Sequence, residues 1–201
     1  FNRWASYGLK KWDYNHVLPY FKKLETWSGG ENLYRGGHGP LKVNRSTINM
    51  KFPLFQAILN AAKDSGFELF EDSNGYKQEG FGTFDVTIHE GKRYGAGKAY
   101  LDDVKNNSNI EIFTHSNVSK ILFKNKVAIG VEVSINNKKE IYYANKEILL
   151  SAGSINSPKL LQLSGVGNAT ELKEAGIEII HDLPGVGENL QDHLEIYIQH
   201  K

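Results

Sequence analysis

Few residues in this chain have the type and spacing to do chemistry. It has no cysteine, and its seven histidines fall in neither HExxH nor HxH spacing. A thiol nucleophile, a disulfide scaffold and any cysteine-ligated zinc or iron–sulfur site are therefore excluded, and no metal centre is expected. Asp192-His193 has the makings of a charge pair, but adjacent side chains point different ways, so a structural role is expected. Glu195 follows in an alternating run, and by itself reads as a solvated strand carboxylate. Gly95-Ala96-Gly97-Lys98 lacks the spacing of a Walker loop, and Gly165-Val166-Gly167 and Gly185-Val186-Gly187 lack the further glycine and the preceding strand of a dinucleotide fingerprint. Asn117-Val118-Ser119 and Asn168-Ala169-Thr170 fit glycosylation acceptors, triplets that recur by chance in an asparagine-rich chain. The stretch 146–167 carries more. It reads as a strand, then Ser151-Ala152-Gly153, then a helix. In a doubly wound sheet, ligands are met at the carboxyl end of a strand and the start of the next helix. Ala152 and Gly153 would let a phosphate or ribose lie close to the main chain.

The elements that must hold these residues follow from periodicity. A short helix is predicted over 13–27, with Tyr14, Val17, Leu18, Phe21 and Leu24 on one face and Pro19 in its first turn. Residues 34–40 form a Gly/Pro loop. The clearest early helix is 53–65, opened by Pro53, faced by Leu54, Phe55, Ile58, Leu59 and Ala62, and stopped by Gly66. Residues 71–85 are loop, with Asn74-Gly75 as a turn. From 109 the period becomes two. Strands are predicted at 118–123, 127–135 and 140–143, the last two joined by an Asn136-Asn137 hairpin turn. Ile148-Leu149-Leu150 reads as a buried central strand covered on both faces. Ser157 then caps a helix with Pro158 at its first position and Gly165 at its end. A short helix at 170–175, a strand at 177–183, a tight turn at 184–187 and a strand over 194–199 complete the order.

Composition narrows the class. The chain has 201 residues, 40% of them hydrophobic, with 24 basic against 23 acidic side chains. That is enough to bury a core, and a net charge of +1 gives no electrostatic case for nucleic acid or an anionic membrane surface. The first residues already read like the inside of a protein and the last like a strand cut short, so a piece of a longer chain is expected, with a trimmed complete domain as the other option. A mixed α/β fold is expected.

The run from Gly153 to Gly167, GSINSPKLLQLSGVG, resembles the second signature of the glucose–methanol–choline (GMC) oxidoreductases at about ten constrained positions. HVLPYFKKLETW at 16–27, YRGGHGPLKV at 34–43, NGYKQEGFG at 74–82, NKEILLSAGSINSP at 145–158 and LPGVGENLQDHLEIYIQ at 183–199 extend the likeness over the whole chain and are most similar to the choline branch.

The resemblance implies part of a Rossmann-like FAD-binding domain interleaved with part of a substrate-binding domain built on an antiparallel sheet. Residues 1–42 would be an extended cofactor-covering segment, 43–83 part of the substrate domain, 84–193 part of the FAD domain, and 194–201 the start of a second substrate-domain segment. It implies FAD as cofactor, with Val118 at the adenine end, where a strand main chain offers one N–H and one C=O to the base edge. Ser151, Ala152 and Gly153 would line the adenosine and pyrophosphate region. The implied substrate is a small alcohol, choline, oxidised to betaine aldehyde and on to glycine betaine. The electrons would leave to a quinone-type acceptor or to oxygen. Glu195 would face the trimethylammonium group, which has no N–H and is held only by charge and aromatic faces. Such a carboxylate gains of order 4 kcal/mol at ~4 Å at the effective dielectric of a partly buried site. The family's GxGxxG strand–turn–helix and first signature are absent from the sequence, and the histidine that takes the alcohol proton would lie beyond Lys201. No catalytic residue is therefore expected among the 201, which alone should be inactive. Oxidation of another alcohol, or a hydroxynitrile lyase with structural FAD, fits the same family, and a self-standing binding module is the non-enzymatic option. The expected location is the cytoplasm, with a peripheral place at the inner membrane as the other option.

Overall fold

Asp13 sets the first substantial helix. The computed structural model describes residues 1–46 and 51–198, and falls into two units, Phe1–Ile112 and Phe113–Lys201. In the first, α1 (Asn2–Ser6) and a 3-10 turn (Lys10–Trp12) lead to α2 (Tyr14–Leu24). Asp13 caps α2 by accepting the His16 N–H at 3.0 Å, and its other oxygen lies 2.6 Å from His16 Nδ1. The main-chain bond first, and the side-chain bond second, hold the Asp13 carboxyl below its ordinary value. This cap starts the helix earlier than Pro19 would: the proline is its sixth residue, not in the predicted first turn. The helix also stops short of the predicted 27. Glu25 turns extended (φ −117°, ψ 154°) because Glu25–Trp27, as β1, pairs in parallel with β2 (Leu41–Arg45). Trp27 and Val43, partners in that register, are both buried.

The helix predicted at 53–65 is present as α3 (Pro53–Asp64), with Pro53 in its first turn and Gly66 at φ +82° after it. Its apolar face is only partly used. Ala62 is buried while Leu54 and Ile58 stay exposed. β3 (Asp85–Val86) pairs antiparallel with β2, and β4 (Ile88–His89) with β5 (Lys92–Arg93) across Glu90 and Gly91, both at positive φ. A single π-helical turn, Gly97–Leu101, follows.

The second unit is organised by a three-stranded antiparallel sheet in the order β6 (Ser116–Lys124), β7 (Val127–Ile135), β8 (Lys138–Tyr143). Both hairpin turns have two residues at positive φ: Asn125 and Lys126 (51° and 64°), then Asn136 and Asn137 (50° and 62°). Such turns match the twist of the strands and favour asparagine. The Asn136-Asn137 turn was legible in the sequence. The register slips between Val118 and Lys120, so Ser119 is an extra residue on β6, a bulge. The Ser119 hydroxyl donates to Glu132 at 2.6 Å and Lys139 lies 3.1 Å from the same oxygen. These bonds, Ser119's the larger, keep the Glu132 carboxyl below its ordinary value. α4 (Gly153–Leu163), β9 (Val166–Gly167), α5 (Ala169–Glu174) and β10 (His181–Asp182) follow, with β9 and β10 parallel. Ile121, Val133, Leu160, Val166 and Leu172 form the buried core.

The mixed α/β character is as expected, but several predicted strands are not strands. Residues 109–115 and 146–151 run without ladder partners among the described residues, as do 194–198, while residue 199 lies outside the described part. Leu149, expected to be covered on both faces, is 83% exposed. The strand expected at 177–183 shrinks to His181–Asp182. Period two reports which face a side chain takes; a strand also needs a neighbour for its N–H and C=O groups. α4 begins one turn ahead of the predicted cap. Pro158 is its sixth residue, and Ser157 acts from inside the helix, accepting the Ala152 N–H at 3.1 Å. The turn over 184–187 is present, closed by Val186 N–H to the Leu183 carbonyl at 3.1 Å.

Candidate functional site

β6 lies at the edge of its sheet, so one row of its main-chain groups is not taken up by β7. Ser164 claims one of them. Its Oγ accepts the Ile121 N–H at 2.8 Å and donates to the Leu160 carbonyl at 2.6 Å. The serine is almost wholly buried. It ties the end of α4 to the sheet edge and so fixes the spacing between them.

That spacing opens a cleft of about 610 Å³, walled by Ser116, Asn117, Val118 and Ser119 of β6, by residues 149–152, and by Asn156, Lys159, Leu160 and Leu163 of α4. The volume suits a small-molecule site. Val118 is brought to the same cleft as Ser151 and Ala152, more than 30 residues further along the sequence. Gly153 is not part of its wall. Beyond its chain neighbours and its own helix, no atom lies within 4 Å of where its Cβ would sit, and its φ of +85° is what matters, turning residues 149–152 into α4. The neighbouring bulge at Ser119 bends the strand beside Val118. The donor set fits the adenosine end of a dinucleotide: edge main chain for a base, small side chains at 151 and 152 for close approach, and amide, hydroxyl and ammonium groups for polar atoms. Sequence reasoning reads Asn117 and Ser119 only as part of a glycosylation triplet and gives Asn156 and Lys159 no part in a site. Asn156 and Lys159, three apart on α4, share a helix face, a spacing that could have flagged them.

Glu195 lies apart from this cleft. It stands on segment 191–198, which has no regular secondary structure, and the Tyr197 phenol donates to its carboxylate. Asp192 accepts the His193 main-chain N–H at 2.8 Å, so its bond to the neighbouring histidine runs to the main chain. Among the described residues no cluster of acidic or histidine side chains could hold a metal ion, and no helix is long and apolar enough to cross a membrane.

The first unit holds a cluster that sequence reasoning missed. Arg35 is 2% exposed. Its guanidinium makes two bonds to Glu25, at 2.8 and 3.1 Å, and one each to Asp72 at 2.6 Å and Asp85 at 2.7 Å. It also lies 4.4 Å from the Trp27 ring centroid. Burial alone would lower its pKa; the bonds to Glu25 and Asp85 and the charges of Glu25 and Asp72 overcome this and raise it. Gly36 permits the arrangement, because a Cβ there would collide with the Lys22 carbonyl. With its donors directed at three carboxylates, Arg35 is a clamp rather than a reagent. Tyr100 donates to the Leu24 carbonyl at 2.9 Å, and burial, then the charge of Glu25, raises its phenol.

The chain matches known proteins in sequence and in fold. The family model for GMC oxidoreductases matches residues 1–195. The chain is 50% identical over 199 residues to the mitochondrial choline dehydrogenase of Homo sapiens, covering 99% of this chain and 33% of that one. It is 46% identical over 200 residues to the oxygen-dependent choline dehydrogenase of Photobacterium profundum, covering 100% and 35%. The chain thus spans about a third of the length of these curated relatives. Among solved structures it is similar to an FAD-dependent oxidoreductase from Chaetomium thermophilum, with TM-score 0.82 and 36% identity over 92% of this chain and 34% of that one. It is also similar to pyridoxine 4-oxidase from Mesorbium loti, with TM-score 0.83 and 27% identity over 92% and 36%. A signature legible at Gly153–Leu163 and beyond, a cleft where that signature meets a sheet edge, and a family match running from the first residue to Glu195 converge: the chain belongs to the GMC oxidoreductase family.

Proposed function

We propose that the whole protein is an FAD-dependent alcohol oxidoreductase whose substrate is choline, converted to betaine aldehyde and on to glycine betaine. The observation that carries this is the 46–50% identity to proteins named choline dehydrogenase over nearly the entire chain. When bound, FAD supplies the acceptor for the hydride lost by the alcohol carbon.

The residues of this chain bind and orient. The main chain at Val118 serves the adenine edge without regard to side chain, which suits a residue on an edge strand. Ser151 and Ala152 leave room beside it, and Gly153 makes the turn that brings α4 to the cleft. Glu195 supplies the fixed negative charge that a quaternary ammonium needs, since such a group can donate no hydrogen bond from nitrogen. The location proposed is cytoplasmic, with peripheral attachment at the inner membrane as the alternative, and fractionation of the full-length protein decides between them.

The full-length protein with its flavin tests the reading. Choline added without oxygen should bleach the flavin absorbance. A spectrum that stays oxidised would sink the proposal and favour lyase chemistry. Glu195→Gln should cut the preference for choline over its neutral analogue, in which carbon replaces nitrogen, by at least about tenfold. Equal losses on both alcohols would remove the charge-recognition role of Glu195.

A further inference from the structure

Residues 194–198 carry no regular secondary structure, and among them Leu194, Ile196 and Ile198 alternate with Glu195 and Tyr197. The three apolar side chains are 101%, 87% and 76% exposed, a surface that gains by being covered. The other two pair a carboxylate with a phenol, and they are joined: the Tyr197 hydroxyl donates to a Glu195 oxygen. That bond raises the phenol above its ordinary value of 10.0, so the donor keeps its proton at neutral pH.

We infer that Tyr197 is a positioning residue for a cationic substrate: its hydroxyl fixes the Glu195 carboxylate, and its ring offers the cation an aromatic face beside that charge. This rests on the reading of Glu195 given above. The physical case is that a quaternary ammonium is bound by the two things this pair presents together, fixed negative charge and a π face. A lone glutamate on an exposed segment samples several rotamers, and holding one of them removes part of the ordering cost of binding. The ring brings the second attraction with few torsions to freeze. The pair needs no other element to form, because its two partners stand two residues apart in sequence.

The test uses the full-length flavin-loaded enzyme in five forms: unsubstituted, Tyr197→Phe, Tyr197→Leu, Glu195→Gln, and Tyr197→Phe together with Glu195→Gln. Binding of choline and of its neutral carbon analogue is read from the perturbation of flavin absorbance, and KM and kcat are taken separately. Tyr197→Phe keeps the ring and loses the hydroxyl. Its choline-over-analogue preference should fall about three- to tenfold, the net range for one ordinary hydrogen bond, with the change in KM rather than kcat. The same substitution in the Glu195→Gln background should add nothing. Tyr197→Leu should lower the preference further, by loss of the ring face. If Glu195→Gln lowers the preference while Tyr197→Phe leaves it untouched, the inference fails and the Glu195 reading stands. If Glu195→Gln itself has no effect, both fail. A Tyr197→Phe protein that loses its flavin assigns the hydroxyl to folding and also overturns the inference.

Discussion

Ser164 shows how one side chain can set the dimensions of a site. It is nearly inaccessible and makes two bonds, one to each element it joins. Substituting alanine would leave the Ile121 N–H buried without a partner, and an orphaned buried donor costs about 1–3 kcal/mol. Ser164→Ala should therefore lower the unfolding free energy of the flavin-loaded protein by that amount, seen as a lower denaturation midpoint, and weaken FAD retention, because α4 loses its tie to the edge of β6. Urea titration followed by flavin fluorescence measures both. An unchanged midpoint would show that the serine tie is not what holds the cleft. Arg35 is a different case. Its four bonds gather Glu25, Asp72 and Asp85 from distant positions, and nothing in the spacing of those residues announced it.

At the level of elements, α2 depends on its cap. The folded-state value of Asp13 lies below its ordinary one, through the His16 N–H first and the His16 ring second. The sign then follows. A lowered carboxyl contributes stability that is complete above the unfolded value, about pH 4, and is lost as pH falls through the folded value. Below pH 4 the helix start should loosen first, seen as faster amide exchange at 14–17, while Asp13→Asn, which keeps an accepting oxygen, should flatten that acid dependence. An acid response identical in both would place the sensitivity elsewhere. The same cap explains why Pro19 is tolerated inside the helix: the start is decided at Asp13 before the proline is reached.

At the level of the molecule, two units each carry a small core and much uncovered apolar surface. Leu149 is 83% exposed, Leu194 101% and Tyr197 83%. Monomeric soluble proteins rarely leave large apolar patches open. The 201 residues made alone should bind a hydrophobic dye and self-associate, while the full-length flavoprotein should do neither. Dye fluorescence and sedimentation compare the two, and a dye-silent monomeric 201-residue chain would contradict the proposal that these residues work within a larger enzyme.

Local patterns carried the helices at 53–65 and 170–175, the strands at 118–123, 127–135 and 140–143, and the Asn136-Asn137 turn, because capping, periodicity and positive φ are properties of neighbouring residues. The family signature from Gly153 to Gly167 was legible for the same reason. Tertiary structure alone decided that Ile148-Leu149-Leu150 runs without a ladder, that Ser119 bulges, and that Arg35 is buried against three carboxylates. It also decided that Val118 shares a cleft with Ser151 and Ala152 while Glu195 stands apart with Tyr197. Each of these turns on which distant main-chain or charged group arrives as a partner. Sequence states a residue's own capacity to bond; only the folded chain states with whom.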